Sequence, residues 1–246
     1  MTSLPPRAAA SAQGMQPRTR LFVLIGLLLV SLFFWNSIAL YPVKLFVVLL
    51  HELSHAAAAL LTGGSVVEIQ IDSRIGGLAL TQGGWSWLVV SSGYTGSMLL
   101  GGAILLLSLR SRAVPVVAVA TGVIVLLVTV FFVRNTFGLI FGVLFGSALL
   151  AAARWLPAVW LALLVQYLGA MSCLYALVDV KEDVLTLQDR VTDASILAGM
   201  TGIPAIVWGV LWSALSLLVF ILIMRAALRQ ANATESHSIK GKSIPS

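Results

Sequence analysis

The five residues His51-Glu52-Leu53-Ser54-His55 combine the side chains that a hydrolytic metal site needs. On an α-helix, residues four apart lie on nearly the same face, so His51 and His55 can both turn an imidazole nitrogen to one ion. Glu52 follows about 100° around the helix from His51, which sets a carboxylate beside the ion without making it a ligand. Hydrolytic zinc sites use three protein ligands and keep a position for water, whose pKa falls toward about 7 on binding. The glutamate of such a motif takes the proton of the attacking water and passes it to the leaving amine.

The setting sharpens the reading. The chain has three histidines, and the third, His237, stands in a polar stretch near the C-terminus. His51 lies roughly 12 Å into an apolar run at 1.5 Å per residue. Ionisable groups at that depth are costly and usually functional. The plainer alternative, that His51, Glu52 and His55 only hydrogen-bond neighbouring helices, leaves an unneeded carboxylate in lipid without a reason.

Two histidines do not complete a site. Cys173 is the single cysteine, so a thiolate cluster and an intrachain disulfide are both excluded, and a metal must be held by nitrogen and oxygen. Asp179, Glu182, Asp183, Asp193, Glu68 and Asp72 are candidates for the third ligand, and spacing does not rank them. Asp179 is the best placed, because it ends an apolar run and can project back into a helical bundle. Asp183, one turn further on, is the alternative if the helix continues. For all but Asp179, solvation in a loop is the simpler account.

The elements that must position these residues belong to a membrane protein. Hydrophobic residues make up 59% of 246 positions and charged residues 10%, and the mean hydropathy is +1.02, far from the balance of a soluble domain. Apolar runs at 21–40, 43–61, 85–109, 113–133, 136–153, 156–178 and 204–224 each reach the roughly 18 residues expected of a spanning helix. The first run is read as a retained anchor rather than a signal peptide, since it is as long as a full crossing and no small-residue cleavage pattern follows. The net charge of +6 comes from basic residues placed singly or in pairs at helix ends, as headgroups favour, so the lipid bilayer is the implied partner and nucleic acid is not. The basic residues divide almost evenly between the two sides, which leaves the orientation open.

Between the second and third runs, Val67, Ile69 and Ile71 alternate with Glu68, Gln70 and Asp72, a turn follows at 74–77, and a second short strand covers 78–82. This predicts a β-hairpin outside the membrane and packed near it. In the third run Gly93, Ser97 and Gly101 form a small-residue stripe for close helix packing, with the alanine run 56–59 as a partner. The expected fold is an all-α polytopic membrane protein with about seven transmembrane helices and that one short hairpin. Residues 1–19 and 230–246 read as disordered tails, and 20–229 as the membrane-embedded domain.

The stretch VVLLHELSHAAAALLTGG at 47–64 resembles the catalytic helix of the site-2 protease-like intramembrane zinc metallopeptidases, in their compact B-like branch. The likeness continues through IGGLALTQGG (75–84), SGYTGS (92–97), LYALVDVKEDVL (174–185), TDAS (192–195) and the helix start carrying Pro204, Trp208 and Trp212. The resemblance implies that His51 and His55 bind Zn2+, that Glu52 is the catalytic base and that Asp179 is the third ligand. Better-known site-2 proteases carry the ligand aspartate in Leu-Asp-Gly, whereas here it stands in Val178-Asp179-Val180. No PDZ-like domain is expected, so the membrane domain or a partner selects the substrate. The family also implies that a hairpin near the site holds the substrate as an extended strand, and 68–82 is the element offered for that role.

Together these readings predict a multi-pass zinc endopeptidase, in the cell membrane, that cuts membrane-embedded or membrane-adjacent peptide segments. A non-proteolytic scaffold that keeps the fold to bind a partner is the alternative. A metal-ion transporter ranks last, because the other spans offer few charged or metal-binding side chains at mid-depth.

Overall fold

The structure, a computed structural model, describes residue 15 and residues 17–185 and 192–242. Helix α1 covers Pro17–Phe33, α2 Tyr41–Leu61, α3 Ser86–Ser108, α4 Val114–Phe132, α5 Thr136–Trp155, α6 Ala158–Leu185, α7 Asp193–Thr201 and α8 Ala205–Lys242. Strands β1 (Ser65–Asp72) and β2 (Gly76–Gln82) form one antiparallel pair between α2 and α3.

Among the described residues, six helices are long and apolar enough to cross a membrane, and a seventh apolar stretch, Thr19–Phe33, is shorter. The first apolar run is therefore not one span. The helix stops at Phe33, and Ser37 then caps a single 3-10 turn, Ile38–Leu40, with its side chain accepting from the Ala39 amide. Pro42 in the first turn of α2 suits a helix start, where its missing N–H costs nothing. Residues 38–40 thus extend the second span, Ile38–Leu61. At the other end, α8 runs on to Lys242, into the stretch expected to be a tail. The expected N-terminal tail lies almost wholly outside the described residues. Exposed Trp85 and Trp87 at the start of α3 and exposed Trp155 and Trp160 where α5 meets α6 stand at opposite ends of the bundle, as the aromatic belts of a bilayer require.

The hairpin is not outside the bundle. The Tyr41 hydroxyl, at the N-terminal end of α2, donates to the Ser73 carbonyl in the hairpin turn at 2.7 Å. At the C-terminal end of α2, Thr62 Oγ1 accepts from the Trp85 amide just after β2, at 3.0 Å. The hairpin thus runs beside α2 for that helix's full length. Non-helical backbone is tolerated at such depth only where its polar groups find partners or line a wet cavity. The outer edge of β1 meets that demand through the α4–α5 connection. The Arg134 amide donates to the Ile69 carbonyl at 3.1 Å. The Asn135 side chain then acts as a strand surrogate, accepting from the Ile71 amide at 3.1 Å and donating to the Ile71 carbonyl at 2.7 Å.

Ile69 and Ile71 are buried as their alternation predicts, but Val67 is 50% exposed. The pairing shifts register between Val66 and Glu68, and that bulge turns Val67 to the opposite face.

The small-residue stripe also divides its work. Gly101 meets α6, where an added Cβ would lie 2.5 Å from Ser172 Cβ and 2.7 Å from the Gly169 carbonyl. Gly93 faces the two histidines of α2. The alanine run instead packs Ala58 and Ala59 against Val89.

Replacing Asn135 by Ala leaves both polar groups of Ile71 without partners in a buried setting. We expect a loss of about 1–3 kcal/mol of stability. Denaturation of the detergent-solubilised protein reads the loss, and faster amide exchange at Ile71 locates it.

Candidate metal centre

On α2, His51 and His55 are one turn apart, and their Nε2 atoms lie 3.0 Å from each other. The rings meet edge to face with centroids 4.8 Å apart. His55 Nδ1 lies 2.7 Å from the Val89 carbonyl of α3. A carbonyl only accepts, so Nδ1 carries the proton, and in the neutral imidazole that a metal ligand must be, the Nε2 lone pair is turned to the site. The Ser92 hydroxyl, 2.6 Å from the same carbonyl and 3.0 Å from the Ser54 carbonyl, ties α3 to α2 at this level.

The third donor comes from α7. Thr192 caps that helix through a reciprocal pair with Ser195, which fixes Asp193 in the first turn. Ala194 and Leu197, buried on α7, pack against Tyr94 of α3 and Trp212 of α8. Asp193 Oδ2 then sits 3.1 Å from His51 Nε2 and 3.2 Å from His55 Nε2.

These three groups suit a metal ion. Two imidazole nitrogens and a carboxylate oxygen lie within 4.8 Å of one another, and the closest atoms are 3.0–3.2 Å apart. Bonds of about 2.0–2.1 Å in tetrahedral geometry separate neighbouring ligand atoms by about 3.3 Å. The His55 lone pair, set by Val89, faces an oxygen that also presents lone pairs, and a cation between them turns that repulsion into two bonds. Gly93 supplies the room, because a Cβ there would collide with Nε2 of both histidines.

Glu52, the next residue on α2, is 5% exposed and stands beside the cluster rather than in it. Strand β2 closes over it. A Cβ on Gly77 would run into the Glu52 carboxylate. Gly77 pairs with Ile71 and Ala79 with Ile69. Ile71 and Ile69 turn their polar groups away from β2, to Asn135 and Arg134. In an antiparallel ladder both members of such a pair face outward. The backbone groups of Gly77 and Ala79 therefore point to the outer edge of β2, next to Glu52.

Of the candidate acids, Asp193 joins the two histidines. Glu68 accepts from the Gln70 amide on the hairpin at 2.6 Å, and Asp72 pairs with Arg74 in the turn. Helix α6 continues through Asp179 and Asp183 to Leu185, but the side chains of Asp179, Glu182 and Asp183 lie outside the described residues. The local signal near Asp193 is the capping pair at Thr192 and Ser195, which starts a helix with an acid in its first turn; the docking of that helix, not the capping pair, brings the acid to the histidines.

Gly93→Ala adds one methyl group where both histidine donors must sit. Helix propensity favours alanine by about 0.8–1 kcal/mol, so α3 is expected to persist while affinity for an added divalent metal ion falls by at least about tenfold. Metal analysis beside circular dichroism of the purified variant checks both halves.

The sequence matches the family described as Peptidase M50B-like over residues 24–223. No curated protein matches it, and no solved structure does. The matched region runs from α1 to α8 and contains every residue of the cluster, so this integral membrane chain belongs to the Peptidase M50B-like family.

Proposed function

We propose that this chain is an intramembrane zinc metalloendopeptidase, with His51, His55 and Asp193 as the zinc ligands and Glu52 as the general base. One observation carries the reading: two imidazoles and a carboxylate from separate elements converge beside a buried glutamate, halfway along a membrane-spanning helix. When bound there, zinc supplies Lewis-acid chemistry, lowering the pKa of water toward about 7 and polarising a carbonyl.

The chain's own residues account for the rest. Val89 holds His55 in the tautomer a ligand needs. Asp193 brings a negative charge that offsets the cation in a low-dielectric setting. Glu52 takes a proton from the water that attacks the scissile carbonyl. As the C–N bond breaks, the same proton passes to the departing nitrogen, leaving a carboxylic acid and an amine, and the acid's proton then moves to the amine to give a carboxylate and an ammonium group. A helical segment hides its carbonyls in its own hydrogen bonds, so a substrate must be unwound before attack. The outer edge of β2, at Gly77 and Ala79, offers backbone groups to a strand laid beside Glu52. Membrane-embedded or membrane-adjacent peptide segments are therefore the substrate class, and the cell membrane is the proposed location.

Glu52→Gln removes the base and keeps the shape. It is expected to slow cleavage by about 10²–10⁴-fold with zinc content and folding unchanged. Comparison of membrane fractions from wild-type and Glu52→Gln cells should reveal an uncut membrane protein in the variant, and the absence of any accumulated substrate supports a scaffold role instead. The third ligand is tested separately. Asp193→Asn should lose stoichiometric zinc while Asp179→Asn keeps it, and the reverse pattern transfers the ligand role to Asp179.

A further inference from the structure

The donors reach the site from elements of unequal rigidity. His51 and His55 belong to a 21-residue helix. Asp193 belongs to α7, which has nine residues, fewer than the roughly 12–15 at which an isolated helix becomes even marginal. The position of Asp193 is thus set by what α7 packs against. Tyr94 of α3 stands at that contact, 2% exposed. Its ring meets the His51 imidazole edge to face, with centroids 4.8 Å apart at 79°. It also meets the Trp212 indole of α8 at 5.0 Å and 42°. Ala194 and Leu197, the buried residues of α7, belong to the same cluster. One side chain therefore touches a histidine of the candidate centre and supports the helix that carries the aspartate.

We propose that Tyr94 is a positioning residue of the metal centre, its ring serving as the common support for His51 and for α7, with Trp212 as the backing. The inference rests on the metal reading above. His55 takes its orientation from the Val89 carbonyl, and the Tyr94 ring packs edge to face against His51. The contacts to His51 and Trp212 are made by the ring, and the ring is the part of Tyr94 to which the role is assigned. Trp212 packs on Tyr94 and with Ala194 and Leu197 of α7, so its loss reaches the centre through Tyr94 and α7.

The test uses the full-length protein in detergent, loaded with Co2+ in place of zinc. The d–d absorption reports coordination geometry, a titration reports affinity, and amide exchange over 193–201 reports docking of α7. Tyr94→Leu and Trp212→Leu are expected to weaken Co2+ binding by about 10- to 100-fold, the usual range for residues that orient metal ligands. Both should also shift the d–d bands and speed exchange in α7, while Tyr94→Phe, which keeps the ring, departs far less from the wild type in all three readouts than Tyr94→Leu does. Wild-type affinity and spectrum in folded Tyr94→Leu, or in Trp212→Leu, would overturn the proposal. So would a Tyr94→Phe defect as large as that of Tyr94→Leu, since it moves the role to the hydroxyl. If the wild-type protein itself takes up no Co2+, the metal reading fails first and the positioning role falls with it.

Discussion

Inside an apolar layer, a polar atom without a partner costs several kcal/mol, and a lone ionised group costs more. This chain nevertheless carries a carboxylate and two imidazoles halfway along α2 and lays a β-hairpin beside them. The rest of the architecture follows from satisfying those groups. Asn135 and Arg134 close the outer edge of β1. Val89 takes the free N–H of His55. Asp193 meets both imidazole nitrogens. The outer edge of β2, at Gly77 and Ala79, lies beside Glu52, and it is the edge proposed to take the substrate strand.

Close approach of backbones shapes the site as well. Gly93 makes room for the histidine rings and Gly77 for the Glu52 carboxylate, while Gly101 and Gly169 bring the backbones of α3 and α6 together. Without water to drive helices together, membrane bundles rely on such backbone contact. Here the same small residues that let helices meet also define the space of the site. Packing and chemistry are therefore not separable along α3: residues 93 and 94 serve the cluster, and residue 101 serves the bundle.

Much of this was legible in the residues. His51, Glu52 and His55 declare themselves because two imidazoles one turn apart, with a carboxylate between them, serve no packing purpose in an apolar run. The six long spans follow from length alone. The first apolar run misleads because hydropathy is blind to the break at Phe33, which Ser37 and Pro42 encode locally. The hairpin looks extramembrane because its strands alternate polar and apolar residues. Its depth depends on Asn135, 64 residues from Ile71, a contact that no local pattern displays. Asp193 was one of six acids, and its selection depends on α7 docking against Tyr94 and Trp212, which is tertiary information. Val67 departs from its strand's alternation because a bulge shifts the register by one residue.

Everything proposed for this bundle depends on a cation held in it by nitrogen and oxygen alone. Zinc K-edge X-ray absorption on the purified protein reads that coordination without reference to activity. We expect about one zinc per chain, with only N/O scatterers at about 2.0–2.1 Å and the outer-shell signature of two imidazoles. A protein without stoichiometric zinc, or a spectrum with fewer than two imidazoles or with sulfur at about 2.3 Å, would refute it.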